Sequence, residues 1–416
     1  MTAETYDIVI IGGGPAGMAA AAAAGPSGLK VALLDDNPAL GGQIWRGESS
    51  SSRSPAIARW FERVKKAGVS ILAGTRVVDH PASATLLAET VSGLKTITYR
   101  KLILATGARE RFLPFPGWTL PGVMGAGGLQ AMVKNGLPIK GKRVIVAGSG
   151  PLLLAVAAAL RSKGAIVPVV AEQASWSRVS GFAASLWRWP GKLVQAVGLR
   201  SQLLGTALQM ECWPVAAVGT DRIRSVTLMR NSRTESYPCD YLACGFGLVP
   251  NLELPYYLGC RIEKGAVVVN DCQQTSLQDV YCSGEPVGVA GLEVALLEGE
   301  IAGCAASGRI DCLPRLQSKQ KKARKFAEML ENTFALDERL KKLPRPDTLV
   351  CRCEDVTWER LKDLQSGRDA KLQTRCGMGP CQGRVCGSAL EALKGWTVQS
   401  PRPPLFPVRL DSLVNS

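Results

Sequence analysis

Histidine occurs once in 416 residues, as His80, so a metal site or proton relay built on several imidazoles is excluded. Cysteine is absent before Cys212 although the chain holds 13. A disulfide framework belongs to short secreted chains, and this one is long, with a polar start that lacks the basic, apolar and cleavage segments of a leader. A reducing cytoplasm is the expectation. The first apolar run is broken by Gly12, Gly13, Gly14, Pro15 and Gly17 and is therefore not a membrane span. Hydrophobic residues at 46% and charged residues at 20% exclude global disorder, and the length allows two or three domains. Gly 44 and Pro 25 suit an α/β architecture built on glycine turns. The net charge of +15 admits nucleic acid, an anionic cofactor or an acidic partner without choosing among them.

Residues 7–11 form an apolar run of buried-strand length, 12–17 a glycine turn, 18–24 a helix-prone stretch and 31–34 a second buried strand, which is a βαβ opening. Further strands are predicted at 102–104, 143–147, 166–170 and 280–282, separated by helical stretches, as in a parallel or mixed sheet with crossovers. After Gly308 the composition changes. Residues 317–342 carry Lys319, Lys321, Lys322, Arg324 and Lys325 on a helix whose apolar face is Phe326, Leu330 and Phe334, stopped by Pro344 and Pro346. Their charge reads as a solvated connector or a partner patch, not a nucleic-acid site. The tail around Pro401 and Pro404 is extended and expected to dock. His80, between Asp79 and Pro81, reads as a surface turn residue, and Trp187 and Trp189 as either subunit interface or loop core.

Gly12, Gly14 and Gly17 have GxGxxG spacing between a strand and a helix. Gly12 permits the tight turn, Gly14 lets the backbone approach a pyrophosphate, and Gly17 allows close helix packing. Asp35 and Asp36 end the next strand, where a carboxylate can accept from a ribose, with Asp35 the better placed. A second copy runs from Gly148 through Gly150, with Glu172 closing its strand and Leu153 in place of the third glycine, so nucleotide binding there stays open. Residues 136–142 imitate a phosphate-binding P-loop, but Arg143 stands where a magnesium-holding Ser or Thr is required.

These turns, with Gly41, Gly42 and Gln43, with Ala105, Thr106 and Gly107, with 243–247, and with Ser283, Gly284 and Glu285, resemble the two-dinucleotide-binding-domain flavoproteins that include glutathione and thioredoxin reductases. The resemblance implies that Gly12, Gly14, Pro15, Ala16, Gly17, Asp35, Asp36, Gly42, Gln43, Ala105, Thr106, Gly107, Gly284 and Glu285 bind FAD, Glu285 standing where the family usually has Asp. No CxxC lies near the flavin-facing segments, which disfavours a disulfide reductase.

Cys351, Cys353, Cys376, Cys381 and Cys386 put five thiols within 36 residues. Thiolates are soft ligands suited to iron–sulfur or zinc, and the C-x-C pair argues for iron–sulfur. The pattern resembles the [2Fe-2S] domain of bacterioferritin-associated ferredoxin, with Cys351, Cys353 and Cys381 as ligands and Cys376 and Cys386 competing for the fourth position. The remaining eight cysteines read as core. Together with residues 115–123 and 374–384, the chain resembles the α subunits of heteromeric dye-linked amino-acid dehydrogenases, the group of hydroxyproline and proline dehydrogenases, opine oxidases and hydrogen cyanide synthase.

The resemblance implies an α/β fold with two Rossmann-like domains and a small C-terminal [2Fe-2S] domain. The expected division is 1–110 with 246–316 for FAD, 111–245 for the second dinucleotide-like domain, 317–345 for the connector, 346–395 for the cluster and 396–416 for the tail. It also implies a partner: an FAD-containing β subunit similar to amino-acid oxidases, with a small ferredoxin-like γ subunit and an interfacial FMN in some members. NAD(P)H or ATP at a turn stays open, as does peripheral membrane association. The expected function is an electron-transfer subunit of an amino-acid or imino-acid dehydrogenase. Its rivals are a self-contained NAD(P)H-dependent acceptor or ferredoxin reductase and a redox-sensing nucleic-acid binder.

Overall fold

The computed structural model describes residues 4–45, 54–397 and 401–414. The chain opens with β1 (Glu4–Ile11), α1 (Pro15–Ala24), β2 (Val31–Asp35), β3 (Ser70–Ala73), β4 (Arg76–Ala82), β5 (Thr85–Thr90) and β6 (Gly93–Leu104). It continues through β7 (Val123–Gly125), α2 (Ala126–Lys134), β8 (Val144–Gly148), α3 (Leu152–Ser162), β9 (Val169–Glu172), α4 (Trp176–Ser185), α5 (Pro190–Gln202), β10 (Ala207–Met210) and β11 (Tyr241–Gly245). Then follow β12 (Val280–Cys282), α6 (Leu292–Ala306), α7 (Leu313–Thr333), α8 (Gly367–Thr374) and α9 (Cys386–Lys394).

Two compact units result, one of residues 1–109, 249–328 and 400–416, the other of 110–248 and 329–399. This grouping joins segments that the sequence separates. Connector residues up to 328 belong to the first unit, and those from 329 belong with the cysteine segment to the second.

In the first unit the sheet order is β3-β2-β1-β6-β5-β4, with β12 also on β6. β1 lies parallel between β2 and β6, and Ile8, Val9 and Ile10 are buried, as expected for a strand covered on both faces. α1 is nearly all alanine and lies against α6 because both helices are stripped of bulk: a Cβ on Gly299 would fall 2.1 Å from the Ala16 carbonyl oxygen, and one on Gly303 2.3 Å from that of Ala20. The tail docks on this unit. Leu405 N donates to Val78 O, and Arg409 and Ser412 bond the buried Glu89.

The second unit holds a parallel sheet of order β10-β9-β8-β11-β7. The strand predicted at 166–170 begins only at Val169, because Pro168 has no N–H for the ladder; Ile166 keeps a single bridge to Arg143. Other expectations also change. His80 is not in a turn but in β4, half-buried, with Nε2 3.1 Å from the Tyr99 hydroxyl; burial pushes its pKa down. The connector helix ends at Thr333, so Phe334 lies beyond it. Cys304 is core as expected, with Cys312 packed against it, and a single turn at the end of α6 pairs the two sulfurs.

Candidate nucleotide and cysteine sites

The first turn is closed by backbone contacts that leave no room for side chains. Gly12 has φ +108° and a Cβ there would lie 2.1 Å from Ala105 O; one on Gly17 would lie 1.7 Å from Gly12 O. Gly14 differs, since a Cβ there would meet only the Cα of Gly42, at 3.7 Å. Gly14 caps α1 without a side chain, and Pro15 occupies the first turn, where its missing N–H is harmless. The helix start thus faces a shallow backbone cradle of the kind that receives a phosphate. Gln43 is exposed beside it, in the short helix Gly42–Trp45.

Asp35 and Asp36 take different places. Asp35 is buried, with Oδ2 accepting from Gly13 N at 2.5 Å and Oδ1 from Asn37 N and Nδ2 at 2.7 Å, so it braces the turn. Asp36 is exposed. Ala105 N donates to Ile11 O, and the crossover at Thr106 and Gly107 is clamped by Asn251, which sequence reasoning missed: Thr106 Oγ1 donates to Asn251 O and Asn251 Nδ2 to Thr106 O, both at 2.8 Å.

Gly284 sits against α1, where a Cβ would fall 2.8 Å from Ala16 Cβ, and its N–H donates to Glu298 Oε2 at 3.0 Å. Glu298, also missed, is fully buried in α6 and is neutralised by Arg324, with Gln320 as a further donor. Two residues of the basic connector, Gln320 and Arg324, therefore turn inward. Glu285 is pushed up to about 7 by burial. Its Oε2 and the Ser283 hydroxyl are buried polar atoms without a partner among the described residues. Such atoms carry a desolvation cost unless a ligand satisfies them, so these residues fit a polar cofactor.

The second turn is filled by its own chain. Glu172 Oε2 accepts from Gly150 N at 2.7 Å, whereas Asp35 takes the residue before Gly14. Ser149 Oγ donates to Phe334 O at 2.7 Å, Gln173 Nε2 donates to Ser149 Oγ and Ala335 O, and Gln173 Oε1 accepts from Asp337 N. The Phe334 side chain lies 3.7 Å from the Cβ position of Gly150. Buried Leu153, in the third-glycine position, packs toward Gly245. Glu172 is raised to about 7 by burial.

All five clustered cysteines fall in the last segment of the second unit, and three of them belong to one small buried cluster there. Cys351 ends a short strand, Cys386 opens α9, and Cys376 follows Arg375, which ends α8 in a left-handed conformation. The sulfurs of Cys351, Cys376 and Cys386 lie within 4.8 Å of one another, all buried. Hydrogen bonds from Cys376 and Cys386 hold the Cys351 thiol far below its ordinary range. Cys353 and Cys381 form a second, more exposed pair, in which Cys381 offers its backbone N–H to the Cys353 sulfur. Gly379 closes the loop over that pair, because a Cβ there would fall 2.2 Å from Cys353 Cβ. A soft, all-sulfur donor set of this size fits an iron–sulfur cluster or zinc.

A family model described as pyridine nucleotide-disulphide oxidoreductase matches residues 6–299. The chain belongs to that family. As a family member it is a flavin-dependent oxidoreductase with α/β Rossmann-like architecture. It is 31% identical to hydrogen cyanide synthase subunit HcnB of Pseudomonas protegens, over 96% of this chain and 96% of the relative. It is 30% identical to an opine oxidase subunit of Rhizobium meliloti (strain 1021), over 99% of this chain and 98% of the relative. Both are named as subunits of larger enzymes, and the chain is a flavoprotein subunit of their group. The fold is that of L-proline dehydrogenase from P. horikoshii, with TM-score 0.67 and 20% identity over 99% of this chain and 80% of that one. Thioredoxin reductase of T. acidophilum aligns with TM-score 0.56 at 20% identity, over 74% of this chain and 99% of its own.

Proposed function

We propose that this chain is the electron-transfer α subunit of a heteromeric amino-acid or imino-acid dehydrogenase of the hydroxyproline, proline or opine type. FAD would be held at the first glycine turn and a [2Fe-2S] cluster at the C-terminal cysteines. A partner flavoprotein subunit, similar to amino-acid oxidases, would oxidise the substrate. The observation that carries the reading is five thiols within 36 residues, three of them brought within 4.8 Å of one another, on a chain whose body is a flavoprotein without a redox CxxC. A flavin supplies exchange between paired and single electrons, which suits a chain that also carries a one-electron cluster.

For FAD, the Gly14 cradle and the start of α1 would receive the pyrophosphate, and Glu285 and Ser283 would satisfy the ribityl side. For the cluster, Cys351, Cys353 and Cys381 would be joined by Cys386. Cys386 opens a helix, whose N-terminus favours a thiolate, whereas Cys376 follows a helix C-terminus, which disfavours one.

The rival reading, an NAD(P)H-dependent reductase, needs the second turn to receive a dinucleotide. The Gly150 amide is already taken by Glu172, and Phe334 covers the glycine. In our reading that turn is structural.

The test is purification of the native assembly, with FAD, iron and acid-labile sulfide measured per copy of this chain. Both groups should accompany the chain, and oxidation of proline, hydroxyproline or an opine should require the partner. A colourless chain, or an isolated chain that oxidises substrate as fast as the assembly, would overturn the proposal.

A further inference from the structure

Residues 173–210 contain no aspartate or glutamate, although the chain holds 35 acids, and they carry Arg178, Arg188, Lys192 and Arg200 together with Trp176, Trp187 and Trp189. This stretch folds into α4 and α5, and neither helix has a buried residue, whereas α6 buries most of its length. Trp176 is 65% exposed, Trp187 74%, Val194 73%, Val197 62% and Leu204 70%. The loop-core alternative for Trp187 is therefore set aside. Val194 and Val197 are three residues apart and share one face of α5. Arg188 and Trp189 are adjacent, the guanidinium 5.8 Å from the ring.

We propose that the α4–α5 pair is an interfacial anchor that lies on an anionic lipid bilayer. Helices of 10 and 13 residues are too short to cross a bilayer, and no helix among the described residues is long and apolar enough to do so. They can lie within the headgroup layer. Exposed tryptophans are stabilised there because the indole has an apolar body and a polar N–H, while valines and leucines reach the acyl boundary. Long cationic stems such as that of Arg188 cover apolar surface and carry their charge to lipid phosphates, while Arg178 and Arg200 donate to Asn332 O and Leu203 O. Charge complementarity selects lipid over a protein partner. A bilayer presents a continuous negative field that disfavours any acid along the whole stretch, whereas a protein presents discrete carboxylates that tolerate acids between them. The exposed side chains of the stretch suit such a field, since rings, branched aliphatics and cations stand among serines and glutamines with no acid between them.

The test is co-sedimentation of the full chain with vesicles of phosphatidylglycerol mixed with phosphatidylcholine, against phosphatidylcholine alone. The chain should sediment with the anionic vesicles at low salt and be released as salt rises. Replacing both Arg188→Gln and Lys192→Gln should weaken partitioning by more than tenfold, at roughly fivefold per charge. The triple variant Trp187→Ser, Val194→Ser, Val197→Ser should abolish it. Far-UV circular dichroism and flavin content should stay unchanged in both, which separates this proposal from the dehydrogenase reading. Failure of the unaltered chain to bind anionic vesicles at low salt overturns it. So does binding that the variants leave intact, or variants that release a co-purifying protein chain while vesicle binding persists.

Discussion

The two glycine turns follow the same local plan and reach opposite ends. Each follows a buried strand, each opens a helix, and each is braced by an acid from the next strand. In the first, the acid takes the amide of Gly13 and leaves the Gly14 cradle unobstructed by side chains. In the second, the acid takes Gly150 itself, and Phe334 lies over it. A dinucleotide-type turn is thus a backbone solution for packing a helix on a sheet, and which of its amides stays open depends on where the bracing acid reaches.

The strongest break of this comparison is Gly17→Val. Its Cβ would meet Gly12 O at 1.7 Å, so the turn must open, at a cost of about 3 kcal/mol or more and with loss of bound flavin. At the matching position Leu153→Ala should cost about 2–5 kcal/mol as an ordinary core cavity and leave flavin content unchanged. Denaturant titration and the flavin-to-protein ratio measure both. If Leu153→Ala strips flavin as Gly17→Val does, the contrast fails.

A parallel pair is Cys386→Ser and Cys376→Ser. The first should lose iron and labile sulfide, and the second should keep most of both, as read by iron assay and visible absorbance. The reverse result would move the fourth ligand to Cys376.

The second turn should also reveal itself through pH. Glu172 is raised to about 7, above its unfolded value near 4.5, so its protonated form is the one that folding favours. Its contribution is full below the unfolded pKa and disappears as pH rises through about 7. The wild type should therefore lose stability across that window. The Glu172→Gln variant should show a flatter profile, the difference in slope amounting to on the order of 3 kcal/mol over the window. Equal slopes would mean that Glu172 ionises freely in the fold.

The smallest effect is a null one. NADH in excess should not raise the melting temperature, although a ligand at a hundred times its Kd would stabilise by about 2.7 kcal/mol. Anaerobic NADH should likewise leave the flavin oxidised. A clear shift or rapid bleaching would reopen the second turn to nucleotide.

Much of this was legible in the residues alone. Glycine spacing after an apolar strand is a local steric requirement, so both turns and their strands could be read, as could five thiols crowded within one short stretch. The boundary at Pro168 is legible in principle through its missing N–H. Asn251, Glu298 and the inward turn of Arg324 could not be read, because each meets its partner only after distant segments fold together. The choice of which turn stays open belongs to the same class. It rests on where the chain from Phe334 to Asp337 comes to lie, and neither glycine motif carries that information. Local backbone geometry is written in neighbouring residues, whereas occupancy of a cradle depends on which remote side chain packs into it.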